Sequence, residues 1–186
     1  VFWGYSDLTT IINAIYTKTG KTSVLYQIKN LTDEKAGAQQ RNAFRQLITA
    51  GTDNLFHFSA RFLCGKEMEG IVVGGNMRCF LKLAGTEYWP DMNGKILLLE
   101  ASGGLAPQMA SCLAQLVQIG VFRQIKVILL GTFLKMEESK SRPTIEELVL
   151  EYAGEKIPVA QTDQIGHKAD SHGIIIGEKI KLCSDK

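Results

Sequence analysis

The sequence predicts an α/β fold in two parts, on three observations. Apolar runs of strand length alternate with segments whose apolar residues recur at helical spacing. Glycines stand between many of these segments as stops. The last two strand-like runs have no helix between them, so part of the sheet is expected to be antiparallel or barrel-like.

Each element follows in order. Val1–Gly4 reads as a buried strand ending in a Gly turn. Ser6 and Asp7 then offer N-caps for a helix carrying Leu8, Ile11, Ile12 and Ile15, which Gly20 stops. Thr22–Tyr26 is a short strand, and residues 29–37 are polar and turn-rich. Gln39–Ala50 is helical, with Phe44, Leu47 and Ile48 on one side. Thr52–Lys66 is the expected boundary between two units, 1–55 and 56–186, although Phe56, Phe58 and Phe62 make it less polar than a linker. Glu69–Val73 is a strand entering Gly74-Gly75-Asn76, read as a tight turn before a short helix that ends at Gly85. Lys95–Leu99 is a strongly apolar strand with Glu100 at its end. Pro107–Ile119 is an amphipathic helix, for which Ser102 is an available cap, and Gly120 ends it. Gln124–Leu130 is a buried strand closed by Gly131. Arg142-Pro143-Thr144 opens the helix Ile145–Tyr152, with Glu146 and Glu147 where the helix dipole favours carboxylates. Ile157–Thr162 and Gly173–Leu182 close the chain as strands.

Composition narrows the classes. Of the 186 residues, 45% are hydrophobic and 22% charged, as in ordinary globular domains. The net charge of +2 and the scatter of basic residues point to neither nucleic acid nor a membrane surface. No apolar run approaches the roughly 20 residues that span a bilayer. Cys64, Cys79, Cys112 and Cys183 lack ligand-like or CxxC spacing and read as reduced thiols, which favours a cytoplasmic protein. The chain opens inside a strand-like run without Met or signal segment. It is therefore expected to be a piece of a longer protein whose upstream part partners that first strand.

Two residues carry the candidate chemistry. Glu100 ends a run that should be buried on both faces, and ligands of open α/β sheets bind beyond the carboxyl ends of strands. A carboxylate there can orient a histidine and stabilise its imidazolium; the competing reading is a solvated strand-end Glu or a helix cap. His167 follows Gly166 in a loop between strands, where it can serve as a general base; the competing reading is a surface His. His167 and His172 with Asp163 and Asp170 could be read as a metal site, but no HExxH or other aligned set supports it, so no metal and no cofactor is expected. The glycines of Val73-Gly74-Gly75-Asn76 and Ser102-Gly103-Gly104 could hold an anion, but neither matches GxGxxG or a P-loop and a tight turn accounts for them better. No GxSxG elbow is present, so if the protein is a hydrolase its serine lies elsewhere.

Four segments in order resemble the LD-carboxypeptidase family of serine peptidases, which includes the muramoyltetrapeptide carboxypeptidases and the microcin C immunity proteins. They are Phe2-Trp3-Gly4-Tyr5-Ser6-Asp7-Leu8-Thr9, Glu69 through Met77 with its Gly74-Gly75-Asn76, Ile96-Leu97-Leu98-Leu99-Glu100, and Pro158 through Gly177 with Gly166-His167. The resemblance implies the trailing part of a flavodoxin-like N-terminal α/β domain, then a C-terminal mixed β/α domain with a partly barrel-like sheet. It implies a Ser-His-Glu triad in which Glu100 and His167 are the catalytic residues of this chain and the serine lies upstream of Val1. It further implies an LD-peptide substrate, Gly75 and Asn76 as substrate-binding residues, and a homodimer. The chain departs from the family pattern at Tyr26-Gln27-Ile28, where an aromatic-Gly-Pro is usual, at Ala101, and at His172–Gly177, which lacks the usual proline. A non-catalytic binding module on the same scaffold is the rival reading.

Overall fold

The computed structural model describes residues 1–154 and 156–183. Its strands, in chain order, are β1 (Phe2–Gly4), β2 (Ser23–Leu25), β3 (Arg61–Cys64), β4 (Glu67–Asn76), β5 (Ile96–Ala101), β6 (Val127–Phe133), β7 (Val159–Gln161), β8 (Ile174–Ile176) and β9 (Lys179–Cys183). The helices are α1 (Thr9–Thr19), α2 (Gly37–Ala50), α3 (Met77–Leu81), α4 (Ala106–Gln118), α5 (Leu134–Glu138) and α6 (Ile145–Ala153). The fold is mixed α/β, as expected. A three-stranded sheet runs β1-β2-β8, and a six-stranded sheet curled into a half-barrel runs β3-β7-β6-β5-β4-β9. The inner four strands of the larger sheet are parallel. Its edges β3 and β9 are antiparallel, and β8 is antiparallel to β2. The closing strands thus supply the antiparallel pairing that their lack of an intervening helix suggested.

The centre of the larger sheet is buried on both faces, and strand periodicity divides its side chains. On β5, Leu97 and Leu99 join the core beneath α3, α4 and α6, with Leu113, Leu116 and Val149. Ile96 and Leu98 face the opposite way, toward Ile12, Leu25, Ile165 and Ile174. β6 alternates likewise, Ile128 and Leu130 against Val127 and Leu129. Each such side chain contributes about 1.5–3 kcal/mol by leaving water. The same alternation puts Glu100 on the face of Ile96 and Leu98.

Several elements differ from the sequence expectation, each for a tertiary reason. Val73-Gly74-Gly75-Asn76 is not a turn: β4 runs through it, with φ of +107° at Gly74 and +129° at Gly75, held in register beside Leu98, Leu99 and Glu100 of β5. Gly131 does not close β6, which continues to Phe133. β3, which the sequence did not show as a strand, forms against β7 about 100 residues later. Ser6 and Asp7 do not cap α1, whose N-cap is Leu8 without a side-chain bond; Ser6 sits at φ +52° in a 3-10 turn that swings the chain out of β1. Ser102 does not cap α4, which starts at Ala106. There the Gln108 side chain accepts from Leu105 N–H (3.1 Å) and the distant Ser141 hydroxyl accepts from Ala106 N–H (3.1 Å). α6 opens after Arg142-Pro143-Thr144 as expected; Thr144 is its N-cap, and Glu147 reciprocates in a capping box.

Candidate active site

Glu100 sits where the parallel sheet breaks its regular pairing. β5 and β6 pair as Leu99 with Leu130, then as Ala101 with Phe133, so β6 carries an extra residue opposite Glu100. Such an irregularity re-aims side chains. The added residue belongs to Gly131-Thr132, and the loop carrying His167 packs onto it. Thr132 N–H donates to Ile165 C=O (2.8 Å), and His167 N–H donates to Thr132 Oγ1 (3.3 Å). Two glycines permit this approach. A Cβ on Gly131 would lie 2.5 Å from the Ile165 oxygen and 3.0 Å from Glu100 Cβ. Gly166 has φ +136°, and a Cβ there would overlap Thr132 Oγ1.

The approach brings the two candidate residues together. His167 Nδ1 lies 2.6 Å from Glu100 Oε2, across 67 residues of sequence. Their side chains are 9% and 1% exposed. A carboxylate facing Nδ1 calls for a proton on that nitrogen, which leaves Nε2 its lone pair. No described residue hydrogen-bonds to Nε2, so no nucleophile pairs with it among the described residues. Glu100 Oε1 is buried and has no hydrogen-bond partner among the described residues. That is costly for stability alone.

Two further residues frame the imidazole. The Tyr5 ring lies against it, with centroids 4.5 Å apart at 48°, and the Tyr5 hydroxyl donates to Gly166 C=O (3.2 Å). Burial, and secondarily the Glu100 charge, push the Tyr5 phenol well above its ordinary range, so it stays protonated. Thr132 supports the loop backbone as described. The sequence held no local signal for Thr132; Tyr5 stood inside a recognised motif without an assigned role.

Asn76 pairs with Glu100 in the β4–β5 register and is buried. Its Oδ1 accepts from Cys79 N–H (3.3 Å), capping α3, and its backbone N–H donates to Thr9 Oγ1 (3.1 Å). No described residue accepts from its Nδ2. Gly75 precedes it on the strand, packed against Thr9 and Leu25. His172 is not brought to the pair. It lines a separate cavity beside α2 with Gln40, Gln46 and Leu55, and among the described residues no cluster of three His, Cys, Asp or Glu side chains could hold a metal ion. A larger cavity of about 720 Å³ opens at the carboxyl ends of β6 and β7, floored by Phe133, Met136 and Ile145, with Arg61, Arg142 and Lys168 at its rim. Cys79 is buried and donates to Asp7 Oδ1 (3.0 Å); burial, then the Asp7 contact, raise its thiol to about 11, outside the range of a reactive thiolate. Among the described residues, no helix is long and apolar enough to cross a membrane.

Residues 69–182, which hold Glu100, His167 and Asn76, match the profile of the LD-carboxypeptidase C-terminal domain. The chain belongs to the LD-carboxypeptidase family. Family members named as carboxypeptidases are among its relatives. A probable murein peptide carboxypeptidase of Bacillus subtilis is 28% identical over 197 residues, covering 98% of this chain and 59% of that protein. The microcin C7 self-immunity protein MccF of Escherichia coli is 25% identical over 215 residues, covering 98% and 62%. Wild-type MccF without ligand superposes with a TM-score of 0.81 at 22% identity, over 98% of this chain and 64% of that one. The muramoyltetrapeptide carboxypeptidase of Oxalobacter formigenes superposes at 0.76 and 24%, over 100% and 65%. These superpositions establish the shared fold. The chain spans about three fifths of the length of the curated relatives it matches.

Proposed function

We propose that this LD-carboxypeptidase chain provides the general base and its orienting carboxylate for a serine carboxypeptidase acting on LD-peptide bonds. The substrate would be a murein tetrapeptide or a related peptidyl conjugate. The observation that carries this reading is the buried 2.6 Å contact between His167 Nδ1 and Glu100 Oε2 at the carboxyl end of a parallel strand. In the proposed reaction a serine on a segment upstream of Val1 attacks the scissile carbonyl as His167 Nε2 takes its proton. The imidazolium, stabilised by Glu100, then gives that proton to the departing amine. Water, deprotonated by the same nitrogen, hydrolyses the acyl-serine ester. Asn76, whose Nδ2 has no acceptor among the described residues, and Gly75 beside it are assigned to substrate binding. Residues 1–55 are assigned to the trailing part of the α/β unit that would bear the serine, and residues 56–186 to the unit bearing Glu100 and His167.

Support from the relatives is consistent with this chemistry. One solved MccF structure holds aspartyl sulfamoyl adenosine, a ligand with an aminoacyl group. The test is hydrolysis of an LD-tetrapeptide by this chain alone and by a protein that joins it to its upstream coding sequence. Activity is expected only in the longer protein. There His167→Ala should lower kcat by about 10³-fold or more, and Glu100→Gln by about 10³–10⁴-fold, through loss of the tautomer. Activity from residues 1–186 that survives His167→Ala would reject the assignment.

A further inference from the structure

We propose that Tyr5 is a positioning residue that holds the His167 imidazole on Glu100, by stacking on its ring and tying down the residue before it. The inference rests on the reading of His167 as the base. His167 sits on a loop, between the turns that follow β7 and precede β8, and a loop side chain is mobile unless its neighbours fix it. Three of its constraints come from β5 and β6: Thr132 N–H on Ile165 C=O, Thr132 Oγ1 on His167 N–H, and the Glu100 contact. These fix the backbone at 165–167 and one ring atom. They leave the imidazole free to rotate away from the carboxylate on its open face.

Tyr5 closes that face. It comes from the far end of the chain, directly after β1, and reaches the loop across 161 residues. Its ring meets the imidazole at 4.5 Å, within the range of aromatic contact. Its hydroxyl donates to Gly166 C=O (3.2 Å), so one side chain fixes both the ring plane and the peptide next to it. The phenol remains a donor, because burial and the Glu100 charge both disfavour phenolate. Ser6, immediately after it, adopts φ +52°. This left-handed turn takes the chain from β1 into α1 and leaves Tyr5 at the end of the strand, over the loop. Tyr5 thus ties the end of the small sheet to the loop that carries His167, with its ring against the imidazole while Nδ1 faces the Glu100 carboxylate.

The test reads the Nδ1–H itself in the 186-residue chain, which has three histidines, by nitrogen-15 imidazole NMR and the exchange of the downfield Nδ1 proton with water. The wild-type chain should show one His167 tautomer with a protected Nδ1–H. Tyr5→Phe keeps the stacking and loses the hydroxyl, and should speed exchange about threefold. Tyr5→Leu loses both and should speed it at least about tenfold, with mixed tautomers, while the His57 and His172 signals hold their positions. A protected Nδ1–H that is unchanged in both variants overturns the role of Tyr5 and leaves the Glu100–His167 pair standing. A wild-type chain with no protected Nδ1–H overturns the pair itself. Should Tyr5→Leu fail to fold, Tyr5→Phe decides: exchange equal to wild type rejects the inference.

Discussion

Replacing Glu100 by Met separates a carboxylate kept for chemistry from one kept for stability. In the folded chain Glu100 is fully buried, with one oxygen on His167 and the other unpartnered among the described residues. Removing it gives up a charge-assisted hydrogen bond, about 1.5–3 kcal/mol, and also removes a desolvated oxygen whose burial costs about 1–3 kcal/mol. The two contributions oppose each other and are of similar size. Once the carboxylate is gone, His167 can carry its proton on Nε2 instead, so no buried N–H need be stranded at Nδ1. The net change in unfolding free energy should therefore stay within about 1 kcal/mol of zero. By contrast, Leu98→Ala two residues earlier on the same strand should cost about 2–5 kcal/mol, because it opens a cavity in a core buried on both faces. Urea unfolding followed by the fluorescence of Trp3 and Trp89 measures both, provided the slope with denaturant is unchanged. A loss above about 3 kcal/mol for Glu100→Met would refute the reasoning, since that is the cost of breaking a buried pair that supports the fold. Retained stability with a mobile His167 tautomer would mean that the sheet tolerates the carboxylate for what it does to the histidine.

Two further outcomes follow from the same geometry. Gly166→Ala must hold φ +136° with its Cβ on Thr132 Oγ1, so it should cost about 1–3 kcal/mol in urea unfolding and release the Glu100 contact in the same NMR spectrum. Gly20→Ala, at φ +67° with no atom within 4 Å, is the control that carries backbone strain without overlap and should leave the His167 signals unmoved. At the start of α6, the Thr144 N–H, and beyond it Arg142, hold the Glu147 carboxyl below its ordinary range. A folded value lowered in this way stabilises the protein above the ordinary carboxylate range, and the benefit is lost as pH falls through the folded value. The thermal midpoint of Glu147→Ala should thus lie below wild type at neutral pH, and the two should converge as pH falls through the folded value. A gap that persists in acid would assign the effect to packing rather than to the capping charge.

What the sequence revealed of this site depended on the range over which each part is determined. Ile96–Leu99 was legible as a doubly buried strand because four consecutive apolar residues carry that information locally, and Glu100 was conspicuous because a charge interrupted it. Helices α4 and α6 were legible to within a residue or two for the same reason. Gly74-Gly75 and Gly131 were misread because local propensity makes glycine a stop, whereas the pairing of β4 and β6 with β5 carries both strands through it. β3 escaped notice because its four residues become a strand only against β7. The site consists entirely of contacts of this second kind: Glu100 to His167 across 67 residues, Thr132 to His167 across 35, Tyr5 to Gly166 across 161. Motif order could name Glu100 and His167 as partners because the segments that resemble the family include both. It could not name Thr132, which reaches the pair through an extra residue in β6 and two glycines that let a loop touch it, or Tyr5, whose ring meets His167 from the far end of the chain. The strand that bears the carboxylate is therefore robust to most surface changes, while the alignment of the pair hangs on Gly131, Gly166 and the ring that covers them.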